Sequence, residues 1–440
     1  MKRILLLTVM LMVVFSATFA LAADSTEGKC MTCHKEKSPG LYRQWQMSSH
    51  ALHNVTCIDC HKANKGDADA YMHEGALIAT LVTPLDCGAC HEKEMKEVDS
   101  SHHATAGLIL DSNDAYLAHV GGGHPAAILG CESCHGSKIE IDPNSPNKLS
   151  KKSWPNSGIG RLNPDGSKGS CTACHTRHAF SKAQARKPEA CSKCHLGPDH
   201  PQKEIYEESK HGNAYYTHLD EMNIDADNWI VGVDYYEAPT CATCHMSATP
   251  NQKITHDVGD RISWNLRAPV SKKMKDWEDK RVAMKDVCMN CHGEVFVDGH
   301  YWQLDATVNL YNEKFAKPAK SIITLIKKKG LLEHPAAFAN LIEWEYWELW
   351  HHEGRRARHG AAMMAPDYTW WHGFYDVLHN FYFKFIPAAR EYDDAEVQAL
   401  IDEVMSSPMH QWINRPTADL KADINSGAMQ EVYKELFPEE

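Results

Sequence analysis

All 16 cysteines of the chain lie in eight copies of one five-residue pattern, Cys-x-x-Cys-His. Cysteines three residues apart share one face of a helical turn with the histidine that follows the second of them. The two thiols can bond the two vinyl groups of one porphyrin, and the histidine can bind its iron. A zinc site would not require each of these histidines, and a thiol redox motif would not recur eight times. The pattern therefore predicts eight covalently bound haem c groups.

The residues of these pentads fall into two sets by role. The predicted haem-bonding cysteines are Cys30, Cys33, Cys57, Cys60, Cys87, Cys90, Cys131, Cys134, Cys171, Cys174, Cys191, Cys194, Cys241, Cys244, Cys288 and Cys291. The predicted proximal iron ligands are His34, His61, His91, His135, His175, His195, His245 and His292. The second ring nitrogen of such a ligand usually donates to a backbone carbonyl, which fixes the tautomer.

Candidate distal ligands come from the remaining histidines among the 28 in the chain. His50 and His124 each stand seven residues before the first cysteine of a pentad, and this repeated spacing suggests a shared role. Other candidates lie among small or polar residues that let the backbone approach a porphyrin. The predicted distal set is His50, His73, His102 or its neighbour His103, His124, His211, His256 and His359.

The composition and the N-terminal residues limit the possible partners and the cellular location. The net charge of -12 argues against nucleic acid as a partner. Lys2 and Arg3, a following apolar run and Ala20-Leu21-Ala22 predict a signal peptide over 1–22 that is cleaved on export. The apolar run is near the length that spans a bilayer, so an uncleaved anchor is the alternative. Haem c is attached outside the cytoplasmic membrane, and we therefore expect a periplasmic protein.

The chain divides by composition into an octahaem-binding domain over 24–300 and a haem-free C-terminal helical region over 301–440. Between the pentads, turn-forming residues are frequent, so porphyrins must supply the apolar interior. In the tail, periodicity predicts helices over 304–330 and 335–362, and a third over 370–405 that is broken near Pro387. The aromatic residues crowded there indicate helix and haem packing, or an oligomer contact. The predicted fold class is mainly α, a multihaem cytochrome c with a haem-packed core, little sheet and a long-helix C-terminal region.

Eight pentads followed by an aromatic helical tail resemble the octahaem hydroxylamine oxidoreductase family over essentially the whole mature chain. The last five pentads also resemble pentahaem cytochrome c nitrite reductase. The matching text comprises Cys194-His195-Leu196-Gly197-Pro198-Asp199-His200-Pro201, Lys210-His211-Gly212, Cys244-His245-Met246, Thr255-His256-Asp257-Val258-Gly259 and Arg358-His359-Gly360.

The resemblance implies that the haem bonded to Cys131 and Cys134 is the catalytic one and lacks a distal side chain. It also implies that Asp199 and His200 lie over its open face and handle the protons that acid–base chemistry on a nitrogen oxide requires. His200 as a further distal ligand and Asp199 as a turn residue remain alternatives.

One departure from the nitrite reductases concerns the catalytic pentad, which ends there in lysine, whereas all eight pentads here end in histidine. This favours the hydroxylamine oxidoreductase branch. Oxidative members of that branch cross-link a C-terminal tyrosine of an adjacent subunit to the catalytic haem, and members without it are thought to act as reductases. Tyr368 is the best candidate for this tyrosine, with packing as the alternative. The family commonly forms homotrimers through the tail.

Three functions follow as hypotheses. The first is an enzyme that interconverts hydroxylamine with nitric oxide, nitrite or ammonium at one open haem iron. Its other seven haems, each with two histidine ligands, would exchange electrons with a cytochrome or a membrane quinol-linked cytochrome. The second is an electron conduit without an open iron, and the third is a reductase of sulfur oxyanions such as tetrathionate. The Asp199-His200-Pro201 segment favours the first.

Overall fold

The computed structural model of the chain describes residues 26–111 and 113–437. The predicted signal peptide over 1–22 lies outside the described residues. Most of the described chain is helical, and its sheet is limited to two antiparallel pairs of strands, Tyr71–His73 with Ala76–Ile78 and Trp264–Asn265 with Lys272–Lys273. The prediction of a mainly α fold with little sheet is confirmed. Within 26–111 and 113–437, every helix is too short or too polar to cross a lipid bilayer.

The chain forms two compact units. The first runs to Arg186 and also includes Thr255–Gly259, and the second comprises Lys187–Ile254 and the residues from Asp260 onward. The pentads that begin at Cys191, Cys241 and Cys288 thus belong to the same unit as the tail. The predicted division at residue 300 followed haem attachment along the sequence, so it does not coincide with this division by compactness.

The first unit is built from short elements. Its α-helices are Thr26–Lys37, Pro39–Gln46, Ser49–Leu52, Cys57–His61, Pro84–Gly88, Glu92–Ser100, Asn113–Leu117, His124–Leu129, Cys131–His135 and Lys182–Arg186. Two 3-10 helices, His102–Asp111 and Cys171–Ala173, and one π-helix, Ala118–Gly122, complete it. Its apolar cluster consists of the buried residues Leu81, Ile139 and Leu149. Such a small side-chain core fits a unit whose interior is supplied by porphyrins.

The second unit has longer elements. Its α-helices are Glu189–Ser192, Gln202–Glu208, Lys210–His218, Cys241–His245, Trp277–Met289, Glu294–Tyr311, Lys317–Lys328, Leu341–Trp347, Gly354–Ala362, Pro366–Thr369, Asp376–Asn380, Ile386–Arg390, Ala395–Ser406, Thr417–Ser426 and Ala428–Val432. Its 3-10 helices are Gln411–Asn414 and Lys434–Leu436. Its π-helical segments are Asn312–Ala316, Glu348–Glu353, Trp370–Tyr375 and Phe381–Phe385.

The π-helical segments join shorter α-helices into three long ones, which run over 294–328, 341–362 and 366–390. A proline normally clashes with the carbonyl four residues before it. For Pro318 and Pro387 that carbonyl lies in a π-helical segment, whose wider turn accommodates the ring. The predicted break in the helix over 370–405 is present, but it lies between Arg390 and Ala395 and not at Pro387. A new helix begins at Ala395, with the Asp394 carboxylate accepting from the Val397 amide.

The three long helices bury a conventional core. Ile322, Ile326, Val377, Phe381 and Phe385 are among its fully buried members. This cluster gives the tail a side-chain interior of a kind that the first unit does not have. A rigid scaffold of this type can hold polar groups such as His351 and Arg355 in fixed positions.

Candidate haem-binding and catalytic site

Several pentads begin at a capped helical turn. The backbone N–H of Thr56 donates to Asp59 Oδ2 at 2.7 Å, and that of Thr83 donates to Asp86 Oδ2 at 2.8 Å. At Thr240 the same role falls to Thr243 Oγ1, at 2.9 Å. These side chains satisfy amides that a helix leaves without intrahelical partners, so they fix the turn on which the cysteines stand.

The distances between facing histidines show whether two of them could bind one haem iron from opposite sides. A metal–nitrogen bond is about 2 Å long and the nitrogen lies about 1 Å from its ring centre, so two imidazoles on opposite sides of one ion have centroids roughly 6 Å apart. Four pairs, each with one pentad histidine, match this separation. They are His34–His73 at 6.2 Å, His50–His91 at 6.2 Å, His61–His178 at 6.5 Å and His211–His292 at 5.9 Å.

His178 is the member of this set that sequence reasoning missed. It lies in a loop with a φ of 65°, and two residues separate it from the pentad that ends in His175. Nothing in the Thr176-Arg177-His178 text distinguishes it from a surface histidine. Its pairing with His61 depends on tertiary contacts between distant segments.

Three of the facing histidines lie in environments that favour the neutral form that a metal requires. Burial lowers the pKa of His50, His178 and His211, and the positive charge of the facing pentad histidine lowers it further. His61 Nδ1 donates to the carbonyl of Ala79 at 2.9 Å, which leaves Nε2 for iron.

Two further pentad histidines interact with predicted distal ligands. Burial, and after it the charge of His256, lowers the pKa of His175 to about 4. Burial, neighbouring arginines and the charges of His200 and His195 lower the pKa of His359 to about 3. His195 Nδ1 donates to Gln202 Oε1 at 3.3 Å. The charge of His256 thus acts on the pentad of His175, and Gln202, whose Nε2 lies 3.4 Å from His359 Nδ1, links His359 to that of His195.

The structure places the remaining distal candidates differently. His124 faces His119, with ring centroids 6.0 Å apart, and His119 Nε2 lies 3.9 Å from the Glu132 carboxylate. His102 begins a 3-10 helix with His103 and lies next to Gly259. Neither placement identifies an iron for His102 or His124, and their assignment stays a prediction.

Neighbouring pentads touch through their thiols. The Cys87 thiol contacts that of Cys171, and the Cys191 thiol contacts that of Cys241. The cysteines of the chain are free of disulfides. Haems bonded to cysteines in contact are close neighbours, so each of these two pairs is suited to direct electron exchange.

A glycine-lined segment clamps the turn Cys131–His135. The amide of Ile159 donates to the Cys134 carbonyl at 2.9 Å, and that of Gly160 donates to the His135 carbonyl at 3.0 Å. A Cβ atom at Gly160 would overlap the backbone of Gly107, and one at Gly158 would overlap Gly136. Only glycine allows this approach, which makes the fourth pentad the most closely braced by backbone contacts.

Asp199 and His200 form a partly buried charged pair in the second unit. His200 Nδ1 lies 2.5 Å from Asp199 Oδ1, and His200 Nε2 donates to the carbonyl of Cys194 at 2.9 Å. Burial opposes both charges, but the contact with His200 and the charges of His351 and Arg355 lower the pKa of Asp199 to about 2. The Asp199 carboxylate likewise outweighs burial and raises the pKa of His200.

The hydrogen bonds of His200 bear on the alternative prediction that it is a distal iron ligand. Its ring centroid is 6.1 Å from that of His195, a separation that would suit one iron. Both of its nitrogens, however, face oxygen acceptors. The geometry therefore suits an acid better than an iron ligand.

His351 and Arg355 complete this cluster and were not predicted from the sequence. Arg355 Nη1 lies 3.4 Å from Asp199 Oδ2 and 3.0 Å from His351 Nε2, and its Nε donates to the Arg267 carbonyl at 3.0 Å. His351 is buried and stacks on Trp347, with centroids 4.0 Å apart. The sequence feature that could have identified them is their spacing of four residues, which puts both on one helix face.

Tyr368 lies half-buried beside His372, with ring centroids 5.1 Å apart. Its amide donates to Glu208 Oε1 at 3.2 Å. Burial, with the nearby charges of Glu204 and Glu208, raises the pKa of its hydroxyl. The predicted cross-link involves a neighbouring subunit, so these contacts within one chain leave it a prediction.

Comparison with known proteins places the chain among haem proteins. A family model described as "Seven times multi-haem cytochrome CxxCH" matches residues 164–337. A curated relative, a probable nitrite reductase-hydroxylamine oxidoreductase fusion protein from Kuenenia stuttgartiensis, is 25% identical over 461 residues. The match covers 78% of this chain and 49% of the relative, so the chain spans about half the length of that protein.

Two solved structures share the fold. A hypothetical multihaem protein is 25% identical with a TM-score of 0.73, and the match covers 84% of this chain and 97% of that one. A reducing HAO-like protein complex from Kuenenia stuttgartiensis is 21% identical with a TM-score of 0.61, and the match covers 86% of this chain and 87% of that one. Over 164–337 the chain thus matches a multihaem cytochrome family, and at low identity it is similar to a nitrite reductase-hydroxylamine oxidoreductase fusion protein and shares the fold of multihaem proteins.

Proposed function

We propose that this protein is an octahaem oxidoreductase that reduces nitrite or hydroxylamine at one open haem iron. Its other seven haems, each held by two histidines, would carry the electrons. The observation that carries the proposal is the partly buried pair Asp199–His200, whose hydrogen bonds define the protonation of the imidazole.

Both nitrogens of His200 face acceptors. The Asp199 carboxylate and the Cys194 carbonyl have no proton to donate, so each ring nitrogen must carry its own hydrogen. The pair is therefore an imidazolium beside a carboxylate. The contact with His200, and after it the charges of His351 and Arg355, favour the ionised form of Asp199, and the Asp199 carboxylate in turn raises the pKa of His200.

A group of this kind suits a reaction that takes up protons. Reduction of hydroxylamine to ammonium, or of nitrite, consumes protons together with electrons, whereas oxidation of hydroxylamine releases them. The haem, when bound, supplies an iron that holds the nitrogen compound and exchanges electrons with it. His200 would donate a proton to the substrate, and Asp199 would stabilise the charged form before donation.

The reacting iron is assigned from the resemblance to octahaem hydroxylamine oxidoreductases, which points to the haem on Cys131 and Cys134 with His135 as proximal ligand. The backbone clamp at Gly158 and Gly160 is consistent with a position that must be held firmly. The names of the relatives support nitrogen compounds as the substrate class.

The oxidative direction is the second candidate, and Tyr368 is the residue that favours it. A cross-link from this tyrosine to the catalytic haem would make the protein a hydroxylamine oxidoreductase in the strict sense.

In either direction the electron partner would be a cytochrome or a membrane quinol-linked cytochrome. Multihaem c-type cytochromes typically work outside the cytoplasm, and we propose the periplasm here.

Optical and EPR spectra of the purified holoprotein test the proposal. We expect a high-spin ferric signal that responds to nitrite or hydroxylamine, and a reduced spectrum without a band to the red of the ordinary Soret. Such a band would show a tyrosine-modified haem and overturn the reductive assignment. If every haem is low-spin and indifferent to both ligands, the protein is an electron conduit and the enzyme proposal fails.

A further inference from the structure

The helix Glu92–Ser100 brings a carboxylate to one of the candidate iron ligands of the first unit. The backbone N–H of His256 donates to Glu97 Oε2 at 2.9 Å, and His256 Nδ1 lies 3.8 Å from the same oxygen. The other oxygen of Glu97 is 3.1 Å from Lys93 Nζ. Within the described part of the chain, His256 Nδ1 is buried and makes no hydrogen bond.

The environment of His256 differs from that of the other candidate ligands. His61 Nδ1 faces the neutral carbonyl of Ala79, and His195 Nδ1 faces the neutral amide of Gln202. At His50, which faces His91 in the adjoining pentad, the charges that act on the ring are those of other histidines. At His256 they include the carboxylates of Glu94 and Glu97.

A carboxylate beside the outer nitrogen of a ligating imidazole makes that imidazole a stronger electron donor. Stronger donation stabilises ferric over ferrous iron, so the reduction potential falls. A partly buried position strengthens the effect because the surrounding dielectric is low.

We propose that Glu97 is a positioning residue that lowers the reduction potential of the haem bonded to Cys171 and Cys174, acting through the axial ligand His256. The contact between the Cys87 and Cys171 thiols makes the haem of the Cys87 pentad a close neighbour. A lower potential would favour the haem of Cys171 as the electron donor to this neighbour. This inference requires haem c at these pentads but not the proposed nitrogen chemistry.

The test is a potentiometric titration of the full holoprotein, followed by optical and EPR spectra. In the variant Glu97→Gln, the amide oxygen still accepts the N–H of His256 while the charge is lost. We expect one low-spin haem to move to a more positive potential, with a change in its largest EPR g value, while the other haems stay in place. Lys93→Gln should move the same haem the opposite way, since it removes the cation that partly neutralises Glu97.

Glu92→Gln is the matched control, because Glu92 stands on the same helix but pairs with Lys96 at 2.6 Å. It should leave all potentials unchanged. Unaltered potentials in Glu97→Gln would overturn the proposal. So would a common shift of several haems, or an equal shift in the control, because either would indicate a general charge or folding effect. None of these measurements involves turnover, so failure here is distinct from failure of the proposed function.

Discussion

At the residue scale, the protonation of His200 depends on a single carboxylate. Burial opposes the charge on the ring, and the contact with Asp199 reverses that effect and raises the pKa of His200. The imidazolium is therefore present at low pH and is lost as the pH rises through this raised value. If His200 is the acid catalyst, turnover should fall as the pH rises.

Asp199→Asn tests this dependence. Without the carboxylate the pKa of His200 should fall, so the alkaline limb of the pH–rate profile for nitrite or hydroxylamine reduction should move to lower pH. Loss of the acid at neutral pH should slow turnover by roughly 10²–10⁴-fold. The control is Glu221→Gln, which breaks a comparable but exposed contact of 3.0 Å with His218. An unmoved alkaline limb in Asp199→Asn would exclude His200 as the acid.

The candidate haem sites show which haem-binding residues can be predicted from the sequence. The pentads were evident because covalent attachment fixes residue types at fixed spacing within one turn. A distal ligand only needs to reach the iron from elsewhere in the fold, so no local pattern identifies it. His73, His50 and His211 were predicted and face pentad histidines, whereas His178 was not predicted and faces His61.

His178→Gly tests the pairing of His178 with His61. The φ of 65° at this position favours glycine, so the backbone should keep its path while the ligand is lost. We expect one additional high-spin ferric signal in EPR, which added imidazole should reverse. His53→Ala serves as control, because the His53 ring is exposed and bonds the carbonyl of Ser49 at 2.7 Å. An unchanged spin-state count would rule out His178 as a distal ligand.

At the element scale, periodicity located the tail helices but not their continuity. Apolar spacing predicted helices over 304–330 and 335–362, and the structure has long helices over 294–328 and 341–362 whose buried faces are made by their own residues. The path through Pro387 depended on a π-helical segment over Phe381–Phe385. No pattern in the sequence predicted that wider turn, because it depends on how the helix packs in the folded protein.

The clamp on the fourth pentad leaves no room for added side-chain volume. Gly160→Ala would force a methyl group into the backbone of Gly107, which should destabilise the fold by about 1–3 kcal/mol. The thermal unfolding midpoint should fall accordingly. Gly40→Ala is the control, because no atom lies within 4 Å of a Cβ at that helical position, and it should be neutral or slightly stabilising. Equal midpoints for the two variants would show that the clamp does not brace this pentad.

At the scale of the whole molecule, composition and compactness divide the chain in different ways. Haem attachment ends near residue 300, yet three pentads share a compact unit with the haem-free tail. The tail helices provide a side-chain core and also carry the groups around Asp199. A division by sequence could not anticipate this, because the contacts of His351 and Arg355 with Asp199 join segments about 150 residues apart.

The tail also carries an exposed aromatic row that bears on assembly. Trp371, Tyr375 and Phe383 are 57%, 46% and 56% exposed, and with His379 they recur every fourth residue along the helix over 366–390. An apolar row of this length on a soluble surface marks a contact with another protein. Since the related octahaem enzymes commonly form homotrimers through this region, we propose that a second copy of the chain covers it.

Trp371→Glu combined with Phe383→Glu should therefore convert a trimer into monomers, because two charges would be buried without partners in each contact. Sedimentation of the holoprotein measures the change directly. Tyr236→Glu, at a side chain that is 73% exposed outside this row, should leave the trimer intact. A wild-type protein that sediments as a monomer would refute the trimer. A double variant that stays trimeric would place the contact on another face of the molecule.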